Sequence, residues 1–100
     1  MQISPEKAKE IMDSEKNVVV LDVRRKEEYA LGHIKGALLI PHVDIEEEAK
    51  NLLPNKEQKI LVYCRSGYRS KLVENQLGGM GYTNVYEFGG ILEWEYELVV

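Results

Sequence analysis

Apolar positions fall in two rhythms along this chain, and the switches between them mark the elements. Val18-Val19-Val20-Leu21, Ala37-Leu38-Leu39-Ile40, Ile60-Leu61-Val62-Tyr63 and Val85-Tyr86-Glu87-Phe88 are short, mostly apolar runs. Runs of that length without strict alternation are expected of strands covered on both faces. Between them apolar residues recur every three or four positions: Ala8, Ile11 and Met12; Ile45, Ala49, Leu52 and Leu53; Val73, Leu77 and Met80. That spacing puts each set on one stripe of a helix. Ser4-Pro5 reads as an N-cap followed by proline at the first helical position, and Asp44 as the cap of the second stripe. Lys26 to Ala30 suit a short helix, Ile91 to Trp94 a final one, and Pro41 stops the second strand. Gly78-Gly79 are expected to end the fourth helix and Gly89-Gly90 to form a turn. Strands alternating with helices predict an α/β fold in three layers. Its mostly parallel central sheet, of about five strands, would carry helices on both faces.

One hundred residues, 1–100, make a single domain, with no repeat or linker to divide it. The net charge of −4 removes the basic footprint of a nucleic-acid binder, and no apolar run is long enough to span a bilayer. Met1 to Glu6 lack the apolar core of a secretion signal and a lone cysteine makes no internal disulfide, so the cytoplasm is the expected compartment; a monomer is expected. One cysteine and two histidines, His33 and His42, are too few and too scattered for a metal centre. No cofactor is expected either.

What remains is Cys64, the only cysteine. The run Ile60 to Tyr63 leads directly into Cys64-Arg65-Ser66-Gly67-Tyr68-Arg69, and a helix is expected to open near Ser70. A thiol at the end of a strand, facing a turn onto a helix N-terminus, meets inward N–H groups and the positive end of a dipole. Two guanidinium groups stand beside it in sequence. All of these favour an anionic sulfur, so Cys64 is read as an activated nucleophile rather than a core cysteine. Asp22 also lies at a strand's carboxyl end, on the rim where such sheets gather their chemistry.

These residues resemble the rhodanese-like domain family of single-domain sulfurtransferases. Leu21-Asp22-Val23-Arg24, Glu28-Tyr29, Gly32-His33-Ile34-Lys35-Gly36-Ala37 and Ile40-Pro41 look like its N-terminal motif. Val62 to Ser70 look like its active-site loop, and Gly81-Tyr82, Val85, Phe88-Gly89-Gly90-Ile91 and Trp94 like its C-terminal motif. Many relatives continue past the tryptophan into a tail containing Gly-Pro, whereas this chain runs Glu97-Leu98-Val99-Val100.

The resemblance implies a ping-pong reaction in which Cys64 takes a sulfane sulfur from a small anionic donor, becomes a persulfide, and passes the sulfur on. Arg65, Ser66, Gly67, Tyr68, Arg69 and Ser70 would bind the donor and the charged sulfur, with Arg69 at the base of the loop and Arg65 at its mouth. Asp22, Arg24 and His33 would be structural near the site. Asp22 is expected to accept hydrogen bonds from loop amides or to pair with an arginine. His33 makes a structural hydrogen bond in this reading rather than a Cys–His dyad. With no second cysteine to form an internal disulfide, the sulfur must go to an external thiol or a protein acceptor. Four residues separate Cys64 from Arg69, one fewer than in cysteine-dependent phosphatases, and the tighter cradle suits a sulfur better than a phosphate. The alternatives are a sulfur-carrier or interaction module that works only with a protein partner and, behind it, a cysteine-dependent phosphatase or arsenate reductase.

Overall fold

The computed structural model describes residues 1–100. Four strands, β1 (Val18–Asp22), β2 (Leu38–Leu39), β3 (Lys59–Cys64) and β4 (Val85–Gly90), form one sheet in the order β2-β1-β3-β4, every pair parallel. Parallel neighbours need a crossover. The chain supplies α1 (Pro5–Ser14) before β1, α2 (Lys26–Ala30) between β1 and β2, α3 (Ile45–Leu52) between β2 and β3, and α4 (Tyr68–Gly79) between β3 and β4. Short 3-10 turns cover His42–Asp44 and Ile91–Glu93.

The side-chain period of two splits β3 between two cores. Ile60, Val62 and Cys64 face Ile45 and Ala49 of α3 and Val73 and Leu77 of α4. Leu61 and Tyr63 face Ala8 and Ile11 of α1, with Phe88 and Trp94. Both faces are therefore covered, as the apolar runs require.

Several details differ from the sequence reading. The sheet has four strands, and the place of a fifth beside β4 holds only a one-residue bridge, Gln2 to Glu87. There Glu87 N–H donates to the Met1 carbonyl and Ile3 N–H to that of Glu87, each at 2.9 Å. Ser4 caps α1 as expected, its hydroxyl accepting from Lys7 N–H. Asp44 makes no such bond, because the preceding 3-10 turn already sets the entry to α3. Leu52 lies beyond the buried stripe and is exposed. Gly78 and Gly79 close α4 as expected, and Met80 is its C-cap. Gly89 and Gly90 belong to β4, and Gly90 pairs with Cys64. That pairing builds the site.

Candidate active site

β3 ends at Cys64, where its register against β4 shifts between Val62 and Cys64. β4 lies so close to the start of the loop that a Cβ on Gly90 would stand 2.1 Å from the Arg65 carbonyl oxygen. Leu92 N–H also donates to that oxygen, at 3.2 Å. The chain then turns through Gly67, whose φ of +104° only glycine adopts without strain. Gly67 is the N-cap of α4, and its N–H donates to Cys64 Sγ at 3.0 Å. The helix opens at Tyr68, two residues before the sequence suggested, so its positive end is set directly at the sulfur.

Cys64 is fully buried, as a core cysteine would be. Its polar partners distinguish it. Besides the Gly67 amide, the thiol donates to Ser70 Oγ at 3.6 Å. Ser70, also fully buried, has one hydroxyl hydrogen and three acceptors within reach: Glu87 Oε1 at 2.9 Å, Gly67 O at 3.0 Å and Gly89 O at 3.3 Å. Ser70 thus touches the sulfur from below and is no part of an open donor-binding surface.

The two loop arginines have different surroundings. Arg69 is half-buried and held by a two-pronged pair, Nη1 to Glu28 Oε1 at 2.7 Å and Nη2 to Glu28 Oε2 at 3.0 Å. Those bonds draw the Glu28 carboxyl down to about 2. They also raise the Arg69 guanidinium above its ordinary value. Glu28 further accepts the Arg25 N–H at 2.9 Å, closing the first turn of α2. Arg69 is thus a strut between α4 and α2, its fork already filled. Arg65 is exposed and its side chain makes no hydrogen bond or ion pair, so it is the free cation of the loop. It borders a depression of about 340 Å³ together with Arg24, Glu28, Leu31, Leu92 and Leu98. Ser66 and Tyr68 are exposed and border a second depression, of about 390 Å³, with Gln2, Lys71, Glu87 and Glu93.

Asp22 and Arg24 form a buried ion pair, Arg24 Nη2 to Asp22 Oδ2 at 2.7 Å and Nε to Oδ1 at 3.0 Å. Arg24 Nη2 also donates to Gly32 O, and Tyr63 Oη to Asp22 Oδ2 at 2.6 Å. Burial, and then that bond to Asp22, hold the Tyr63 phenol well above its ordinary range. Tyr63 in turn accepts the Ile34 N–H at 3.1 Å. Asp22 is therefore a clamp between β1, β3 and the segment around Gly32. His33 stacks on Tyr29 with centroids 3.7 Å apart, its Nδ1 is 2.9 Å from Tyr29 O, and its backbone bridges Val99. All its polar partners lie away from Cys64, which leaves no Cys–His dyad. The C-terminal segment is thus used to hold the His33 strand-like stretch in place.

Sequence reasoning missed Glu87 and the partner of Arg69. For Glu87 a signal was present: a single acid inside the apolar run Val85 to Phe88. Its side chain is fully buried, with Oε1 accepting from Ser70 Oγ and, at 2.6 Å, from Gly89 N–H, and Oε2 with no partner.

The family model described as Rhodanese-like domain matches residues 4–97. Thiosulfate sulfurtransferase PspE of Escherichia coli is 37% identical over 71 residues, 71% of this chain and 68% of that protein. The putative sulfur carrier protein YrkF of Bacillus subtilis is 34% identical over 94 residues, and the chain spans about half (50%) of its length. A solved rhodanese-like domain protein from Staphylococcus aureus superimposes with a TM-score of 0.84 at 34% identity, covering 99% of this chain and 96% of that one.

Proposed function

The chain belongs to the rhodanese-like domain family of sulfurtransferases, and from that premise we propose that Cys64 carries a sulfane sulfur as a persulfide between a small anionic donor and an external acceptor. The observation that carries this reading is the cradle at Cys64: an amide N–H on the sulfur at 3.0 Å and the start of α4 directly behind it. In the first half-reaction the Cys64 thiolate attacks the outer sulfur of thiosulfate. The new S–S bond forms as the S–SO₃ bond breaks, sulfite leaves with the electron pair, and the terminal sulfur keeps one negative charge. In the second, a cyanide or thiolate attacks that terminal sulfur and Cys64 departs as thiolate. No net proton is consumed, and each step moves one sulfur and one electron pair. The Gly67 amide and the α4 dipole stabilise the anion in both states. Arg65, the unpaired cation at the mouth, meets the incoming donor.

Steady-state thiocyanate formation from thiosulfate and cyanide tests this directly. The wild type is expected to turn over and Cys64→Ser to fall to background; equal rates would end the proposal. A second reading, a sulfur carrier serving a protein partner, draws on the similarity to the Bacillus subtilis protein and on the exposed Leu31, Leu92 and Leu98 beside Arg65. Persulfide formation with negligible turnover on small donors, restored by a cell extract, would favour it. Phosphatase chemistry is disfavoured, because the arginine that would clamp a phosphate is committed to Glu28.

A further inference from the structure

The thiol of Cys64 must lose its proton before it can attack sulfur, and it is buried away from water. Of its hydrogen-bond partners, Ser70 Oγ alone can pass a proton on. From Ser70 the nearest acceptor, and the most basic of the three in reach, is Glu87 Oε1 at 2.9 Å, against backbone carbonyls at 3.0 and 3.3 Å. Glu87 is an unusual residue to find here. It is a fully buried acid in the middle of a parallel strand, it has no cationic partner, and one oxygen makes no hydrogen bond at all. Placing a carboxyl there costs free energy that an apolar residue would not. A buried polar atom without a partner calls for an explanation. It also borders the depression that Ser66, Tyr68 and Lys71 share, while Arg65 borders the other one, which it shares with Arg24 and Glu28.

We propose that Glu87 acts through Ser70 as the proton acceptor for Cys64, so that the thiol is activated from beneath the loop while the donor arrives at Arg65. The Cys64 S–H bond breaks and its proton joins Ser70 Oγ. The Ser70 hydroxyl proton passes to Glu87 Oε1. The products are a Cys64 thiolate, a Ser70 hydroxyl now able to donate to it, and a neutral Glu87 carboxyl. No charge is created or destroyed; it moves from carboxylate to sulfur, next to the Gly67 N–H and the start of α4. Glu87 is a positioning residue in this scheme, since it touches Ser70 and not the sulfur. The other charged or titratable groups around it are Tyr68 and Lys71 of α4, Glu93 of the last 3-10 turn, and the Met1 ammonium at the adjoining edge, which pairs with Glu74. None of them hydrogen-bonds to Glu87.

The inference rests on Cys64 being the nucleophile, but its test need not involve sulfur transfer. The rate of Cys64 alkylation by iodoacetamide is measured against pH on the full chain, for wild type, Glu87→Gln, Ser70→Ala and Ser70→Thr, with circular dichroism as the check on folding. Glutamine keeps the shape and still accepts from Ser70 and Gly89. If Glu87 takes the proton, the acidic limb moves to higher pH, and alkylation on that limb drops about tenfold or more. If Glu87 is only structural, the limb stays put. Loss of a nearby negative charge would by itself move the limb to lower pH, since it eases ionisation of the thiol. An unmoved or acid-shifted limb therefore overturns the proposal. Should Glu87→Gln fail to fold, the serine variants can still overturn the relay. Ser70→Ala is expected to reproduce the upward shift and Ser70→Thr to restore the wild-type limb. An unshifted Ser70→Ala, or a folded Ser70→Thr that restores nothing, overturns the relay. A displaced limb in a protein that makes no thiocyanate would leave the relay standing and remove the sulfur-transfer reading instead.

Discussion

At the scale of single residues, the division of labour between the two loop arginines is the most consequential feature. Arg69 is paired through both prongs with Glu28, whereas Arg65 is exposed and unpaired. Arg65→Ala should therefore raise KM for thiosulfate by about three- to thirtyfold with little change in kcat, the pattern of a lost ground-state contact. Steady-state kinetics at fixed ionic strength checks this; an unchanged KM would remove Arg65 from donor binding. Glu28→Gln acts differently, by releasing Arg69 and opening the join between α2 and α4. It should cost about 1–3 kcal/mol in urea unfolding. The same pair sets an acid limit. The Glu28 carboxyl lies well below its ordinary 4.5 in the folded chain, at about 2. Its contribution to stability is then complete above about 4.5 and is lost as pH falls toward 2. Urea unfolding across that range should show a smaller acid loss in Glu28→Gln than in wild type.

At the scale of elements, the loop depends on how closely β4 approaches β3. A methyl at Gly90 would meet the backbone of Arg65 and Ser66, which cannot swing aside as a side-chain tip can. Gly90→Ala should cost about 3 kcal/mol or more, or else displace the loop and abolish sulfur transfer in a folded protein. Thermal unfolding read together with turnover distinguishes the two, and a stable, active variant would contradict the geometry. This close pairing was not legible in the sequence, where Gly89-Gly90 read as a turn; a glycine tolerated for contact and one needed for a bend look alike in one dimension. The four strands were legible, because burial on both faces writes a continuous apolar run. Ser4-Pro5 was also legible, as a cap is a local signal, whereas Asp44 holds the N-cap position without a side-chain bond, behind a 3-10 turn that leaves no clear pattern. The cysteine loop is contiguous and could be read directly. Its supports could not: Glu28 and Arg69 are 41 positions apart, and so are Asp22 and Tyr63. Glu87 did carry a mark, an acid in an apolar strand, which burial alone turns into a question about chemistry.

At the scale of the whole molecule, two cores share one parallel sheet, and the thiol and the clamp that supports it lie at one rim of it. Cys64 ends β3, and Asp22, at the end of β1, ties that rim together through Arg24, Tyr63 and the carbonyl of Gly32. Asp22→Asn should leave the Arg24 guanidinium buried without its counter-charge and cost about 3–5 kcal/mol. A melting temperature equal to wild type would show that the clamp is dispensable. With the rim held, the fold delivers one thiol under one amide, with the unpaired Arg65 next to it in the chain. Whether that thiol holds sulfur is read most directly by intact-protein mass spectrometry of the freshly purified chain, before and after thiosulfate. A gain of one sulfur atom is expected, mapped to Cys64, released by reductant and recovered as an equal amount of thiocyanate with cyanide. No gain in mass, or the same gain in Cys64→Ser, would contradict it.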